Sequence, residues 1–257
     1  MPSMNKETYN KFAIEFLRER ESLLANYDAH VLAQQIREWE RVVSVLDELI
    51  KDLSGRKELS LNQLRLLKQY KEFIEQAEKV IKGYAKWNSN ITMIAQKDFA
   101  NIGLSTSGTL LNLIDTNWNR LEVDAINGMI GRTAEGSPLY NLFMDRFSVN
   151  VDKAVNSLVD GISRGLNPNE VARNMRSMLD ISIYDSTRIT RTEALNVYRN
   201  VAYNQYVSSG IVDSYNWITE QGACSVCLGF SRGNPYPLSK IPQALHPFDR
   251  CSIAPNI

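Results

Sequence analysis

Three cysteines and two histidines are all that this chain of 257 residues contains, and its 29 Lys+Arg are cancelled by 29 Asp+Glu. An odd cysteine count, with two of the three in C-x-x-C spacing, points to a reducing compartment rather than a secreted disulfide scaffold. A formal net charge of zero argues against a protein that coats nucleic acid by bulk electrostatics alone. No apolar run approaches the roughly 20 residues needed to cross a bilayer. The polar start, Met1-Pro2-Ser3-Met4-Asn5-Lys6, carries no signal-peptide pattern. A soluble chain without a membrane partner is expected. Proline is missing between Pro2 and Pro138, which leaves the first half free to be helix.

What is there in that half is helical spacing. Leu32, Ile36, Trp39, Val43, Leu46, Ile50 and Leu53 alternate steps of four and three, the seam of a coiled coil. Ser54-Gly55-Arg56-Lys57 ends it, and Ser60 with Gln63 forms a capping box for a second seam through Leu67, Tyr70, Ile74, Ala77, Ile81 and Tyr84. Two such helices joined by a short turn pack antiparallel, with a separate first helix carrying Tyr9, Phe12, Phe16 and Leu23 as a third member. Between Lys51 and Lys97 ten basic residues face five acidic ones. Interleaved in this way, without aromatic residues in step, they read as a solvated face, with contact to nucleic acid or an acidic partner as the competing reading.

Around Asn101–Gly108 the charges vanish and small residues take over, the pattern of a Gly/Ser hinge. Helix resumes from Thr109 through Trp118, Leu121 and Ile126, is interrupted by Gly128, Gly131 and Gly136, and returns with Phe147, Val151 and Ala154 on one side. Asn167, with Pro168 after it, caps a short helix ending near Leu179. The expected architecture is mainly α with a small α+β C-terminal lobe. A helical arm or bundle spans 1–104, a helical middle region 105–180, and the C-terminal lobe 181–257.

That lobe holds two polar constellations. On a helix from Tyr184 to Ser209, Glu193, Asn196, Asn200 and Asn204 share one face, flanked by Arg191 and Arg199. Asparagine is a poor interior helix former, so the stripe carries a propensity cost. Arg191, Glu193, Asn196, Arg199 and Asn200 therefore form a candidate polar network, either a hydrated face or a buried set that fixes packing. Gly210 ends the helix, and residues 211–219 follow as a strand with Tyr215, Trp217 and Thr219 on one side.

The second constellation gathers every cysteine and one histidine into 28 positions: Cys224-x-x-Cys227, a Gly/Pro-rich loop, then His246 and Cys251. Paired thiolates two residues apart grip one metal, with sulfur about 2.3 Å from zinc, and His246 with Cys251 completes a tetrahedron. The spacing C-x2-C-x18-H-x4-C suits a closed structural zinc site, a zinc-knuckle-like module. A disulfide with one thiol left over, or three unpaired thiols acting as small apolar residues, are the competing readings.

Residues 183 to 255 taken together resemble the C-terminal region of phage Mu F-like minor head proteins, the phage head morphogenesis family. The features that carry the resemblance are Ile189-Thr190-Arg191-Thr192-Glu193, the following helix with Asn196, Tyr198 and Arg199, and the strand ending in Trp217. After these come Cys224-x-x-Cys227 and His246-Pro247-x-x-Arg250-Cys251. The Gly165-Leu166-Asn167-Pro168 break extends the likeness upstream to about residue 110. One departure is Asp249, which stands where the family often carries a further cysteine. The resemblance implies a virion protein made in the host cytoplasm. It would be a non-enzymatic minor component of the head, associated with the portal, other head proteins and packaged double-stranded DNA. Its work would lie in head assembly or genome ejection, with no small-molecule substrate. Two other functions are weighed against it: a metal-dependent nuclease or a transferase built on Arg191 and Glu193, and a cellular DNA-binding protein that uses the cysteine cluster as its knuckle.

Overall fold

The computed structural model describes residues 5–54, 68–133, 136–164, 166, 170–171, 173–174, 177 and 180–256. Helix α1 spans Lys6–Ser54, α2 Lys68–Ile114, α3 Val123–Asn127, α4 Leu139–Ser163 and α5 Ile181–Ser209. The C-terminal elements are β1 Ser214–Ile218, α6 Ser225–Ser231, β2 Tyr236–Pro237 and β3 Ser252–Asn256. The protein is mainly helical, with one small antiparallel sheet ordered β2-β1-β3. No helix among the described residues is long and apolar enough to cross a membrane.

Two expectations about helix breaks are corrected. The separate first helix does not exist, because α1 runs unbroken for 49 residues. Its buried stripe is Tyr9, Ala13, Leu17, Leu24 and Val31, whereas Phe12 and Leu23 are 37% and 46% exposed. The smaller Ala13 lies on the packed face. The Gly/Ser hinge is absent too: Asn101–Gly108 lies inside α2. A Cβ on Gly103 would stand 2.8 Å from the Tyr198 carbonyl oxygen, so the small residues let two helix backbones approach closely. The break comes later, at Asp115, whose carboxylate accepts the Asn117 N–H in a local turn. The turn at 55–57, the Ser60/Gln63 box, Leu67, the side chains of Ile50 and Leu53, and the Asn167–Pro168 cap lie outside the described residues.

The chain divides into two compact units, each drawn from separate stretches of sequence. One comprises Met1–His30, Thr92–Ser137 and Arg188–Ile257, the other Val31–Ile91 and Pro138–Thr187. In the first, β1 pairs with β3 from Ser214↔Asn256 to Ile218↔Ser252 and with β2 at Ser214↔Pro237 and Tyr215↔Tyr236. The strand pleat sends Tyr215, Trp217 and Ile253 into a core with Tyr206 and Leu111. Ile218 and Ala254, on the opposite face, pack with Tyr9, Ala13, Leu17 and Leu110. A sheet covered on both sides holds whatever its connecting loops carry.

The second unit is a helix assembly centred on aromatic rings. Trp39 and Tyr84 lie 4.9 Å apart between centroids, and Tyr84 and Phe147 5.1 Å. Trp39, Val43 and Leu46 of the expected seam are buried, but Ile36 is 37% exposed and Gln35 takes the inward place. Gln35 is tolerated there because its amide donates to Asn88 Oδ1 at 2.9 Å.

Candidate metal centre

Each ligand of the cysteine cluster is placed by a short-range device. Gly222, at a φ of +79°, turns the chain out of β1. Cys224 then sits in extended backbone as the N-cap of α6, its carbonyl accepting the Leu228 N–H at 3.0 Å. Its exposed sulfur faces the backbone N–H of Cys227 and of Val226, and these hydrogen bonds lower the thiol pKa. Cys227, in the first turn of α6, is buried, and burial pushes its thiol pKa up. Cys251 lies just before β3, where burial and the neighbouring Asp249 carboxylate push its thiol to about 11.

His246 closes the group. Its Nε2 is 3.2 Å from Cys224 Sγ and 3.1 Å from Cys227 Sγ. Its Nδ1 lies 2.8 Å from the Pro247 carbonyl, so the Nδ1–H donates there and the Nε2 lone pair is turned toward the sulfurs. Metal-ligating histidines are oriented by the same arrangement. The hydrogen bond to Pro247 also raises the pKa of His246.

Two sets of potential ligand atoms each fall within 4.8 Å of one another: Cys224, Cys227 and His246, and Cys227, Asp249 and Cys251. Cys227 belongs to both, so the four expected ligands form one continuous cluster. A tetrahedral site with about 2.3 Å to sulfur and about 2.0 Å to nitrogen needs ligand–ligand separations of roughly 3.5–3.8 Å. His246 Nε2 stands slightly closer than that to two sulfurs, and neither group of atoms within 4.8 Å unites all four expected ligands. All three cysteines are free thiols. The cluster can hold a metal ion.

Asp249 has a different place from the sulfur ligands. Its Oδ1 accepts the Cys251 N–H at 2.9 Å, and its Oδ2 accepts the Leu245 N–H at 3.0 Å. The same Oδ2 meets Arg199 Nη1 at 3.1 Å. Burial would raise this carboxyl, but Arg199 and the two backbone donors outweigh it and hold its pKa below the usual range. The carboxylate thus pins both ends of the loop that carries His246 and Cys251.

Arg199 is fully buried. Besides Asp249 it donates to the Cys251 carbonyl at 3.1 Å and to Asn196 Oδ1 at 3.2 Å, and its guanidinium lies 5.5 Å from the Trp217 ring centroid. Burial lowers its pKa, opposed by Asp249. A second arginine of α5 grips the same loop: Arg191 bonds Asp28 of α1 at 2.7 Å and lies 5.1 Å over the Phe248 ring. Phe248 occupies the left-handed region, with φ 64°. Beside the loop, Arg250 meets Glu220 at 2.7 Å.

The polar stripe and the cysteine cluster, separate in the sequence, are thus one construction. Asn196 and Arg199 are bonded to each other and through Asp249 to the ligand loop. Glu193, Asn196 and Asn200 also line a pocket. Asp28 and Trp217 escaped the sequence reading as site residues. Nothing near Asp28 in the chain signals its role, whereas the strand pattern had at least set Trp217 on an inward face.

Comparison with protein-family models, with curated proteins and with solved structures finds no match.

Proposed function

We propose that this chain is a minor structural protein of a phage head, associated with the portal and packaged DNA, acting in head assembly or genome delivery. What supports the reading is that three residues carrying the likeness to Mu F-like proteins, Arg191, Arg199 and Trp217, are joined to the loop between His246 and Cys251. Arg191 and Arg199 reach Phe248 and Asp249, Arg199 stacks toward Trp217, and Asp249 braces the segment between His246 and Cys251. In this reading Cys224, Cys227, His246 and Cys251 hold one zinc ion. Four protein ligands leave no position for a water nucleophile, so the metal fastens the lobe and does not hydrolyse. The lobe is the fixed end, and α1 and α2 are the elements that dock on other head proteins.

Fractionation of infected cells tests the assignment. The protein is expected in portal-containing particles and in mature heads, at few copies per particle. Its absence from both would overturn the reading.

A further inference from the structure

Where α2 ends, the chain turns at Asp115, passes Trp118 without regular structure and enters α3. Against α2 and α5 this stretch encloses a cavity of about 430 Å³. Three devices hold the space open. Trp118 Nε1 donates to Asn112 Oδ1 at 2.9 Å, which fixes the indole against α2. Gly108 keeps the wall of α2 bare: a Cβ on it would lie 3.3 Å from Gln205 Nε2 and 3.8 Å from the Trp118 ring. Ile126 of α3 is buried and packs with Ala100 and Val201, so Leu104 and Leu121 beside it form a floor anchored in the core. The cavity is therefore pre-formed and largely apolar, as small-ligand sites usually are, and falls within their range of about 300–1,000 Å³.

Two polar groups in its wall are open to a ligand. Gln205 of α5 is only 3% exposed. Its Nε2 donates to the Leu104 carbonyl at 3.4 Å, while Oε1 has no hydrogen-bond partner among the described residues. A buried acceptor left unpaired is costly, and an N–H supplied from within the cavity removes that cost. On the exposed side, Arg120 lies 5.7 Å from the Trp118 ring centroid and meets no carboxylate among the described residues. A guanidinium takes a carboxylate through two parallel N–H bonds. An apolar cavity of about 150 Å³ accommodates benzene, so this larger one takes a ring and leaves room for an amide and a carboxylate.

We propose that this cavity binds an N-acylated amino acid with an apolar side chain and a free carboxylate. The carboxylate sits on Arg120, the side chain against Leu104, Leu121, Ile126 and Trp118, and the amide N–H on Gln205 Oε1. The last residue of a peptide carries the same three groups, so the ligand comes either free or as the C-terminus of a partner chain. This stands apart from the head-protein reading and departs from the expectation of no small-molecule substrate.

Calorimetric titration of the full-length protein tests this with N-acetyl-phenylalanine and with a short acetylated peptide that ends in a free phenylalanine carboxylate. At least one of the two is expected to bind. N-acetyl-phenylalanine amide, which lacks the carboxylate, and 3-phenylpropionate, which lacks the N–H, are each expected to bind at least about tenfold more weakly. Arg120→Gln and Gln205→Leu are each expected to weaken binding of the acid by a similar factor. Lys97→Gln, which removes an exposed positive charge of α2 outside the cavity, is expected to leave it unchanged. Binding by the amino acid alone assigns the free ligand, and binding by the peptide assigns a chain terminus. No binding of either at millimolar concentration would overturn the proposal, as would equal affinity for the acid and its amide, or binding that survives Arg120→Gln. Should Gln205→Leu fail to fold, Arg120→Gln, at an exposed position, carries the test alone.

Discussion

The guanidinium of Arg199 and the carboxylate of Asp249 meet at 3.1 Å with side chains 1% and 0% exposed. A charge pair taken so completely out of water is kept by its geometry. Removing one member leaves the other uncompensated, at a cost of roughly 3–5 kcal/mol, while replacing both by well-packed apolar groups is often close to neutral. Arg199→Met should therefore lower stability to urea by that amount, and Arg199→Met with Asp249→Leu should recover part of it. A double-variant loss equal to the sum of the Arg199→Met and Asp249→Leu losses would show that the pair contributes nothing beyond its separate members.

The close approach of α2 to α5 gives a second prediction. Gly103→Ala puts a methyl group 2.8 Å from a backbone carbonyl oxygen, and overpacking of this kind costs about 1–3 kcal/mol. At Gly83, also in α2, nothing lies within 4 Å of an added Cβ. Gly83→Ala should stabilise by about 0.5–1 kcal/mol through helix propensity. Thermal melting of both variants checks the pair, and a Gly103→Ala protein as stable as the parent would contradict the close approach to Tyr198.

That pair also shows how far the sequence could be read. Helical periodicity found α1, α2 and α5 because packed helices repeat their apolar faces. The β1 pleat was legible from Tyr215 and Trp217 for the same kind of reason. Small residues at 101–108 were ambiguous, since Gly and Ser serve a flexible joint and a tight helix crossing equally well. That the cysteines and His246 cluster could be anticipated from spacing, because cysteine pairs leave a local signature. The braces of that cluster could not. Asp28 and Asp249 act on arginines far away in the chain, and no periodic pattern encodes such a contact.

Asp28 sets the pH dependence. Its pKa is raised because burial outweighs the attraction of Arg191. A carboxyl whose folded pKa exceeds its unfolded value, about 3.9, contributes stability that is fully present below that unfolded value. The contribution is lost as pH rises through the folded pKa. Urea midpoints measured from pH 4 to 7 should include a falling component that Asp28→Asn removes. An unchanged profile in that variant would contradict the assignment.

Metal binding should release protons. The buried thiols of Cys227 and Cys251 are shifted up, so both carry protons at neutral pH and must lose them to ligate. These two protons make the affinity rise at least about a hundredfold per pH unit between pH 6 and 7, and His246, whose pKa is raised, adds to the slope. Competition with a chromogenic chelator at several pH values reads this slope. A pH-independent affinity would mean that these sulfurs are not ligands.

Everything proposed for the C-terminal lobe turns on whether it is fastened by metal, and elemental analysis of full-length protein purified without chelator addresses that directly. About one zinc per chain is expected, lost on Cys227→Ser, with three thiols titratable once the metal is stripped under denaturing conditions. Protein free of metal, with fewer than three thiols before any reductant is added, would contradict the closed metal centre and put a disulfide in its place.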